Sequence, residues 1–262
     1  MDTRKEEFLQ CLQDAEMVLI GLGEEFDEFR TLRQDTDYLE VREKINNSEY
    51  AWLIPAWNML QNRMDAYESL KRFAELIADK NYFVVSVSTN DRIADVPWRD
   101  ERLVMPCGGS RMKQCGENCG HSLVETTKED WDAMKSVLNN LHDVNRSESD
   151  AFGLGMCPSC GSPLVLNSVY TTKYDENGYL EQWKTYTKWL QGTLNRKLMI
   201  LELGVSLQCP SVIRWPFEKV AFFNQKASFW RVNEKFYQLS EELGGKGTSI
   251  SRNAIDWLND LC

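Results

Sequence analysis

The chain has 262 residues, of which 42% are hydrophobic, and carries 40 acidic against 30 basic side chains, a net charge of −10. That length can bury a sizeable core as one large domain with a smaller companion, and the acidic balance argues against general nucleic-acid binding, which needs clustered Lys and Arg. No run approaches the roughly 20 apolar residues of a membrane span, and the charged opening Met1-Asp2-Thr3-Arg4-Lys5-Glu6 lacks the apolar region of a signal peptide.

Phe8 to Ala15 has helical spacing, and Met17-Val18-Leu19-Ile20 reads as a buried strand ending in Gly21-Leu22-Gly23. A helix, an uninterrupted apolar strand and a glycine turn open an α/β domain. From about residue 35 to 80 the pattern is helical, with Trp52, Trp57 and Tyr67, a join at Pro55 and a helix from Ser69 to Asp79. Tyr82 to Val87 is a second buried strand. Lys128 to Leu141 and Tyr179 to Leu194 are helices, the latter carrying Trp183, Tyr186 and Trp189. Leu198 to Gly204 and Ala227 to Asn233 are strands, Ser249 to Ser251 is a short strand, and Ala254 to Leu261 is a terminal helix. Alternation of this kind predicts an α/β fold, a parallel sheet with helices on both faces.

Between the alternating halves stand two cysteine pairs, Cys115 with Cys119 and Cys157 with Cys160. A tetrahedral zinc site needs four thiolates converging from two such knuckles, so the four cysteines are the expected ligands of a structural zinc. The 37 residues between the pairs require a small subdomain, roughly 106 to 170, interrupting the sheet. Cys11, Cys107, Cys209 and Cys262 are scattered, which predicts no disulfide framework and a reduced, cytoplasmic protein.

Strand, Gly-x-Gly turn, helical insert, second strand and cysteine pairs, followed by Leu201-Glu202-Leu203-Gly204-Val205, Pro210, Ile213 and Trp215-Pro216-Phe217, resemble the sirtuin family. Arg102-Leu103, Gln114-Cys115, Cys157-Pro158-x-Cys160-Gly161-x-Pro163 and Asn167 add local matches, most like the microbial, macrodomain-linked branch. The resemblance spans nearly the whole chain. It implies a Rossmann-like large domain (1–105 and 195–262, with a helical insert at about 35–80) and a small zinc-binding domain with a return helix (106–194). It also implies NAD or ADP-ribose as ligand, and NAD-dependent protein deacylation or ADP-ribosyl transfer as activity.

By that resemblance, cofactor contacts fall on Gly21, Gly23, Ser88, Asn90, Gly204, Ser206 and Asn233, with Ala254 near adenine. Ser88 and Asn90 follow from an ungapped match starting at Tyr82; a shift of two would put the motif's asparagine on Asn90 and break the match to Arg102-Leu103. The motif's carboxylate is then missing. The place of the family's catalytic His or Gln is taken by Cys107, in Pro106-Cys107-Gly108-Gly109-Ser110. A thiolate there could be base or nucleophile, and a buried, inert thiol is the other reading. His121 and His142 both lie in the zinc region, His121 being an alternative ligand. The first loop, Gly21-Leu22-Gly23-Glu24-Glu25-Phe26-Asp27-Glu28, keeps two glycines but puts Glu24 and Glu25 in the small-residue and serine places. Two carboxylates beside a pyrophosphate would repel it, by several kcal/mol at low local dielectric.

Three functions stand on these residues. The first is a divergent protein impaired in catalysis, acting as a zinc-containing nucleotide-binding or sensing module. The second is an active ADP-ribosyltransferase or NAD hydrolase using Cys107 and Glu24 or Glu25. The third is an interaction protein presenting Trp52 and Trp57 to a protein partner.

Overall fold

The computed structural model describes residues 3–27, 32, 35–61, 66–140 and 153–262. In chain order the elements are α1 (Thr3–Asp14), β1 (Met17–Leu22), α2 (Thr36–Asn46), α3 (Ile54–Gln61), α4 (Ala66–Leu76), β2 (Asn81–Ser86), β3 (Leu103–Val104), β4 (Gly108–Cys115), β5 (Val124–Glu125), α5 (Lys128–Asn140), β6 (Leu164–Ser168), α6 (Leu180–Gln191), β7 (Leu198–Leu203), α7 (Arg214–Phe223), β8 (Ser228–Asn233), β9 (Gly247–Ser251) and α8 (Ala254–Leu261). Helix starts are written locally: Asp35 accepts from the Asp37 and Tyr38 amides ahead of α2, and Asn253 from the Ile255 and Asp256 amides ahead of α8. Pro55 sits in the first turn of α3, where its missing N–H is not needed.

Six strands form one parallel sheet in the order β3-β2-β1-β7-β8-β9. The winding reverses between β1 and β7, and a crevice opens there at the carboxyl ends of the strands. Both strands are buried along their whole length, as their unbroken apolar runs require. On one face Val18, Ile20 and Leu201 meet Phe8 and Leu12 of α1, Phe73 of α4, and Trp257 and Leu258 of α8. On the other, Leu19, Phe83 and Ile200 meet Tyr186 and Trp189 of α6 and Phe217 and Ala221 of α7.

A second, antiparallel sheet has the order β5-β4-β6. Its core is shared with α5 and with α2 and α3: Val41, Ile45, Trp52 and Trp57 join Met134, Leu138 and Leu166, together with Cys115 and Cys157. Trp52 and Trp57 are buried in this core, so they do not form the exposed aromatic surface that the interaction reading required. Among the described residues no helix is long and apolar enough to cross a membrane.

Candidate functional site

Cys115 ends β4, and Cys157 and Cys160 come from the turn before β6. That turn is closed by the Cys157 amide donating to the Ser162 carbonyl (2.7 Å) and the Gly161 amide to the Cys157 carbonyl (2.9 Å). The four sulfurs of Cys115, Cys119, Cys157 and Cys160 all lie within 4.8 Å of one another. Cys115 and Cys160 are 3.4 Å apart, and Cys119 and Cys157 3.6 Å. Zinc–thiolate bonds imply sulfur–sulfur edges of about 3.8 Å in a tetrahedron, so the donor set fits zinc in size and chemistry. The Cys160 thiol is pulled down, first by the Ser162 hydroxyl and then by its amide. His121 stands outside the set, its Nδ1 3.3 Å from the Ser159 hydroxyl. His142 lies outside the described residues. Behind the cluster, Asn167 Nδ2 donates to Gln114 Oε1 (2.7 Å) and the Asp175 carbonyl (2.8 Å), while the Asp175 amide donates to Gln114 Oε1 (2.9 Å). The local matches at Gln114 and Asn167 are thus a brace for the metal-bearing sheet.

The same sheet holds a buried ion pair, with Lys113 Nζ 2.6 Å from Asp130 Oδ2, which also accepts from the Thr127 amide at 2.8 Å. Burial pushes the Asp130 carboxyl up, but the Lys113 ammonium and the Thr127 amide outweigh it and leave the group below the ordinary carboxylate range. Its stabilisation is therefore complete above the unfolded value of about 4 and fades as pH falls through the folded value. Asp130→Asn should lose about 1–2 kcal/mol at pH 7 and nothing relative to wild type well below pH 3. Thermal melts of both proteins across that range would check it; a gap that persists in acid would contradict the pairing.

At the crevice, the carboxyl ends of β1, β7 and β8 bring Gly23, Gly204 and Asn233 together. A Cβ on Gly23 would lie 2.2 Å from Val205 Cα and 2.3 Å from the Gly204 carbonyl, so this glycine is already required by the neighbouring strand's loop. Gly204 has φ +65°, and the Glu25 side chain fills the space above it, with Glu25 Cβ 2.5 Å from where a Gly204 Cβ would stand. Gly21 lies beneath α7, where Ile213 Cγ2 would be 2.6 Å from an added Cβ.

The acidic loop occupies the amides of this crevice. Glu24 Oε2 accepts from the Ser206 amide (2.8 Å). Glu25, 4% exposed, accepts at Oε1 from the Glu234 amide (2.9 Å) and at Oε2 from the Ala254 amide that starts α8 (2.7 Å). Strand-end and helix-start amides are the natural anion donors of an open α/β sheet, and here side-chain carboxylates take them. Asn233 is likewise engaged: Nδ2 donates to the Val205 carbonyl (2.9 Å), and Oδ1 accepts from the Lys235 and Phe236 amides. Ser206 Oγ accepts from the Gln208 amide at 3.0 Å. What remains is a cavity of about 220 Å³ lined by Glu24, Glu25, Arg42, Ser206, Asn233 and Lys235. That is below the roughly 300–1,000 Å³ of ordinary ligand pockets. Glu24 and Glu25 thus hold amides that would otherwise be open to an anion at this crevice.

Ser88 and Asn90 lie at the end of β2. The Ser88 hydroxyl donates to Asp27 Oδ1 (2.7 Å), as does the Thr89 amide (2.9 Å), and Asn90 Oδ1 accepts from the Arg92 amide (3.1 Å). Asn90 Nδ2 and Thr89 Oγ1 are buried without a hydrogen-bond partner among the described residues. Asp91 opens the short 3-10 turn that follows Asn90. Buried beside Asn90, it accepts from the Ser110 amide (2.7 Å) and the Ser110 hydroxyl at Oδ2. It thereby fixes the turn that carries Cys107.

Cys107 is 2% exposed, and its sulfur lies 3.9 Å from that of Cys209. Its thiol is pushed well above the ordinary range, first by donating to Cys209, then by burial and by the nearby Glu24 and Asp27 carboxylates. A thiol raised in this way is neutral in the reduced protein.

The whole architecture can be matched to solved structures. A Sir2 homologue in complex with NAD superimposes with a TM-score of 0.52 at 13% identity, covering 98% of this chain and 91% of that one. A Sir2 structure with 2′-O-acetyl-ADP-ribose and a deacetylated peptide gives 0.56 at 13% identity, covering 98% and 96%. This chain has the sirtuin fold. No protein-family model matches it. A protein ADP-ribosyltransferase of Staphylococcus aureus is 20% identical over 268 residues, 92% of this chain and 82% of the relative. A probable bifunctional ADP-ribose hydrolase/ADP-ribosyltransferase of Fusarium oxysporum f. sp. cubense is 29% identical over 126 residues. That match takes in 46% of this chain and spans one fifth of the fungal protein.

Within the sirtuin fold, then, Gly23, Gly204, Ser206 and Asn233 gather at one crevice, whereas Gly21 packs against Ile213 and Phe217 beneath α7. Ser88 meets the crevice through Asp27, Asn90 stands behind with its amide donating to the Ser88 hydroxyl, and Cys107 faces Cys209. The residues sequence reasoning missed are Asp91 and Cys209.

Proposed function

We propose that this protein is a sirtuin-fold nucleotide-binding module that is impaired as a deacylase, with a crevice that its own acidic loop keeps closed until a ligand displaces it. The observation that carries the reading is the seating of Glu24 and Glu25 on the Ser206, Glu234 and Ala254 amides. Each charge-assisted bond is worth about 1.5–3 kcal/mol, so opening the loop weakens apparent affinity by orders of magnitude relative to a preformed crevice. Arg42 and Lys235 in the lining give a displaced phosphate or carboxylate a counter-charge. The ligand class is ADP-ribose and its relatives, and the neutral, buried Cys107 supplies no base for turning NAD over.

Calorimetry of the zinc-loaded chain with ADP-ribose and with NAD tests this. Wild type should bind ADP-ribose weakly, Glu24→Ser/Glu25→Ala should bind it at least about tenfold more tightly, and neither should release nicotinamide from NAD. Equal affinity in both proteins would sink the closed-loop reading. A second reading, an active ADP-ribosyltransferase, draws support from the staphylococcal relative, whose match covers 92% of this chain. Nicotinamide release by wild type that Cys107→Ala abolishes would establish it instead.

A further inference from the structure

We propose that Cys107 and Cys209 form a reversible disulfide beside the crevice, with Cys209 as the thiol that a hydroperoxide oxidises first and Cys107 as the one that resolves it. The two residues are 102 positions apart in the chain, yet their sulfurs are 3.9 Å apart. A disulfide needs about 2.0 Å, and the approach is asked of a segment that can make it. Cys209 lies in the irregular stretch between β7 and α7, whereas Cys107 is held by the Val169 amide donating to its carbonyl (3.0 Å) and by the Asp91–Ser110 anchor beyond it. Exposure divides the roles: Cys107 is buried and Cys209 is half-exposed, so only Cys209 meets a dissolved oxidant first. Electrostatics agree, because Cys107 donates its S–H to Cys209, which lowers the Cys209 thiol against the opposing effects of burial and Glu24, while Cys107 itself is raised. The attacking sulfur is the readier thiolate of the two.

The chemistry balances with a hydroperoxide as oxidant. The Cys209 thiolate attacks the peroxide oxygen, the O–O bond breaks, an alkoxide or hydroxide leaves and takes up the thiol's proton, and Cys209 becomes a sulfenic acid. The Cys107 sulfur then attacks Cys209, the S–O bond breaks, and water leaves with the Cys107 proton. Two thiols are oxidised by two electrons and one peroxide is reduced. The remaining thiols are poorer competitors: four form the cluster suited to a metal, Cys11 bonds Ser228 at the opposite end of the sheet, and burial raises the Cys262 thiol away from its reactive thiolate form. The bond would join the turn before β4 to the loop that carries Gly204 and Ser206, and would consume the only thiol at the place that sirtuin resemblance gives to catalysis.

The test is thiol mapping of the zinc-loaded 262-residue chain after a graded dose of hydrogen peroxide, with alkylation, digestion and mass spectrometry. The expected result is a linked peptide pair containing Cys107 and Cys209, lighter by two hydrogens than the separate peptides and restored by a phosphine reductant. Cys107→Ser should trap a dimedone adduct on Cys209, and Cys209→Ser should leave Cys107 unmodified at the same dose. Oxidation of the metal-cluster thiols while Cys107 and Cys209 both stay alkylatable would overturn the proposal, as would a dimedone adduct on Cys107 in the Cys209→Ser chain. Nucleotide titration of the fully reduced chain tests the closed-loop reading separately, so neither failure can be mistaken for the other.

Discussion

Stripping the metal from the four-cysteine cluster should lower the melting temperature by about 10 °C or more and dismantle the antiparallel sheet, while the six-stranded sheet keeps its secondary structure. Structural zinc free energy is folding free energy, about 10–16 kcal/mol in small zinc modules, and each lost kcal/mol lowers the melting point of a domain this size by about 2–4 °C. The cluster is not peripheral to its sheet. Cys115 and Cys157 are buried in the same core as Trp52, Trp57, Met134 and Leu166, so losing the ligands opens the contact of α2 and α3 with β4 and β6. Trp52 and Trp57 make the change visible, because exposure of these buried indoles shifts the fluorescence to the red. Metal analysis should give one zinc per chain, lost in Cys157→Ser. A melting curve unchanged after complete metal removal would refute the structural role.

Arg231→Ala should be the most damaging single substitution away from the metal, at about 3–5 kcal/mol, because it strands buried charge. Glu202 of β7 and Arg231 of β8 are register partners, and both are essentially inaccessible to solvent. Arg231 Nε and Nη2 donate to the two oxygens of Glu202 at 2.8 and 2.9 Å, and Nη2 reaches Glu218 Oε1 of α7 at 2.7 Å. Arg214 adds a contact to Glu202 at 3.1 Å and donates to the Val205 and Phe236 carbonyls, both at 2.8 Å. These arginines therefore hold the loops that wall the crevice, and the loss should appear in nucleotide affinity as well as in stability. Replacing both charges, as Glu202→Leu/Arg231→Met, should cost less than the two single changes added together. Thermal melts of the two single variants and the double variant give the coupling directly; strict additivity would show that the pair is not a unit.

Much of this architecture is legible from local rules. The unbroken apolar runs of β1 and β7, the asparagine ahead of α8 and the paired cysteines each announce themselves within a few residues, because burial on both faces, capping and metal ligation impose short-range patterns. The antiparallel sheet does not. β4 runs Gly-Gly-Ser-Arg-Met-Lys-Gln-Cys, with a register shift between Gly108 and Lys113, so no alternation of apolar and polar residues survives to be read. β3 is only two residues long and exists because β2 pairs with it. At the crevice, the sequence could identify Glu24 and Glu25 as hostile to a pyrophosphate. Their partners, the amides of Ser206, Glu234 and Ala254, come from residues 182 to 229 positions away. Backbone donors carry no signature in a side-chain alphabet, and the same is true of the meeting of Cys107 with Cys209.

Because Glu25 at once fills the space over Gly204 and caps two distant amides, mutational drift has no easy route out of the closed arrangement. A first step to a small residue at position 25 leaves two buried donors unsatisfied and a hole above a left-handed glycine, before any nucleotide is present to fill either. A change at Gly204 is barred by its backbone conformation and one at Gly23 by the wall of Val205. Lineages carrying this loop would therefore pass through a less stable ancestor to regain an open crevice. Selection for folding alone is then enough to keep the door shut.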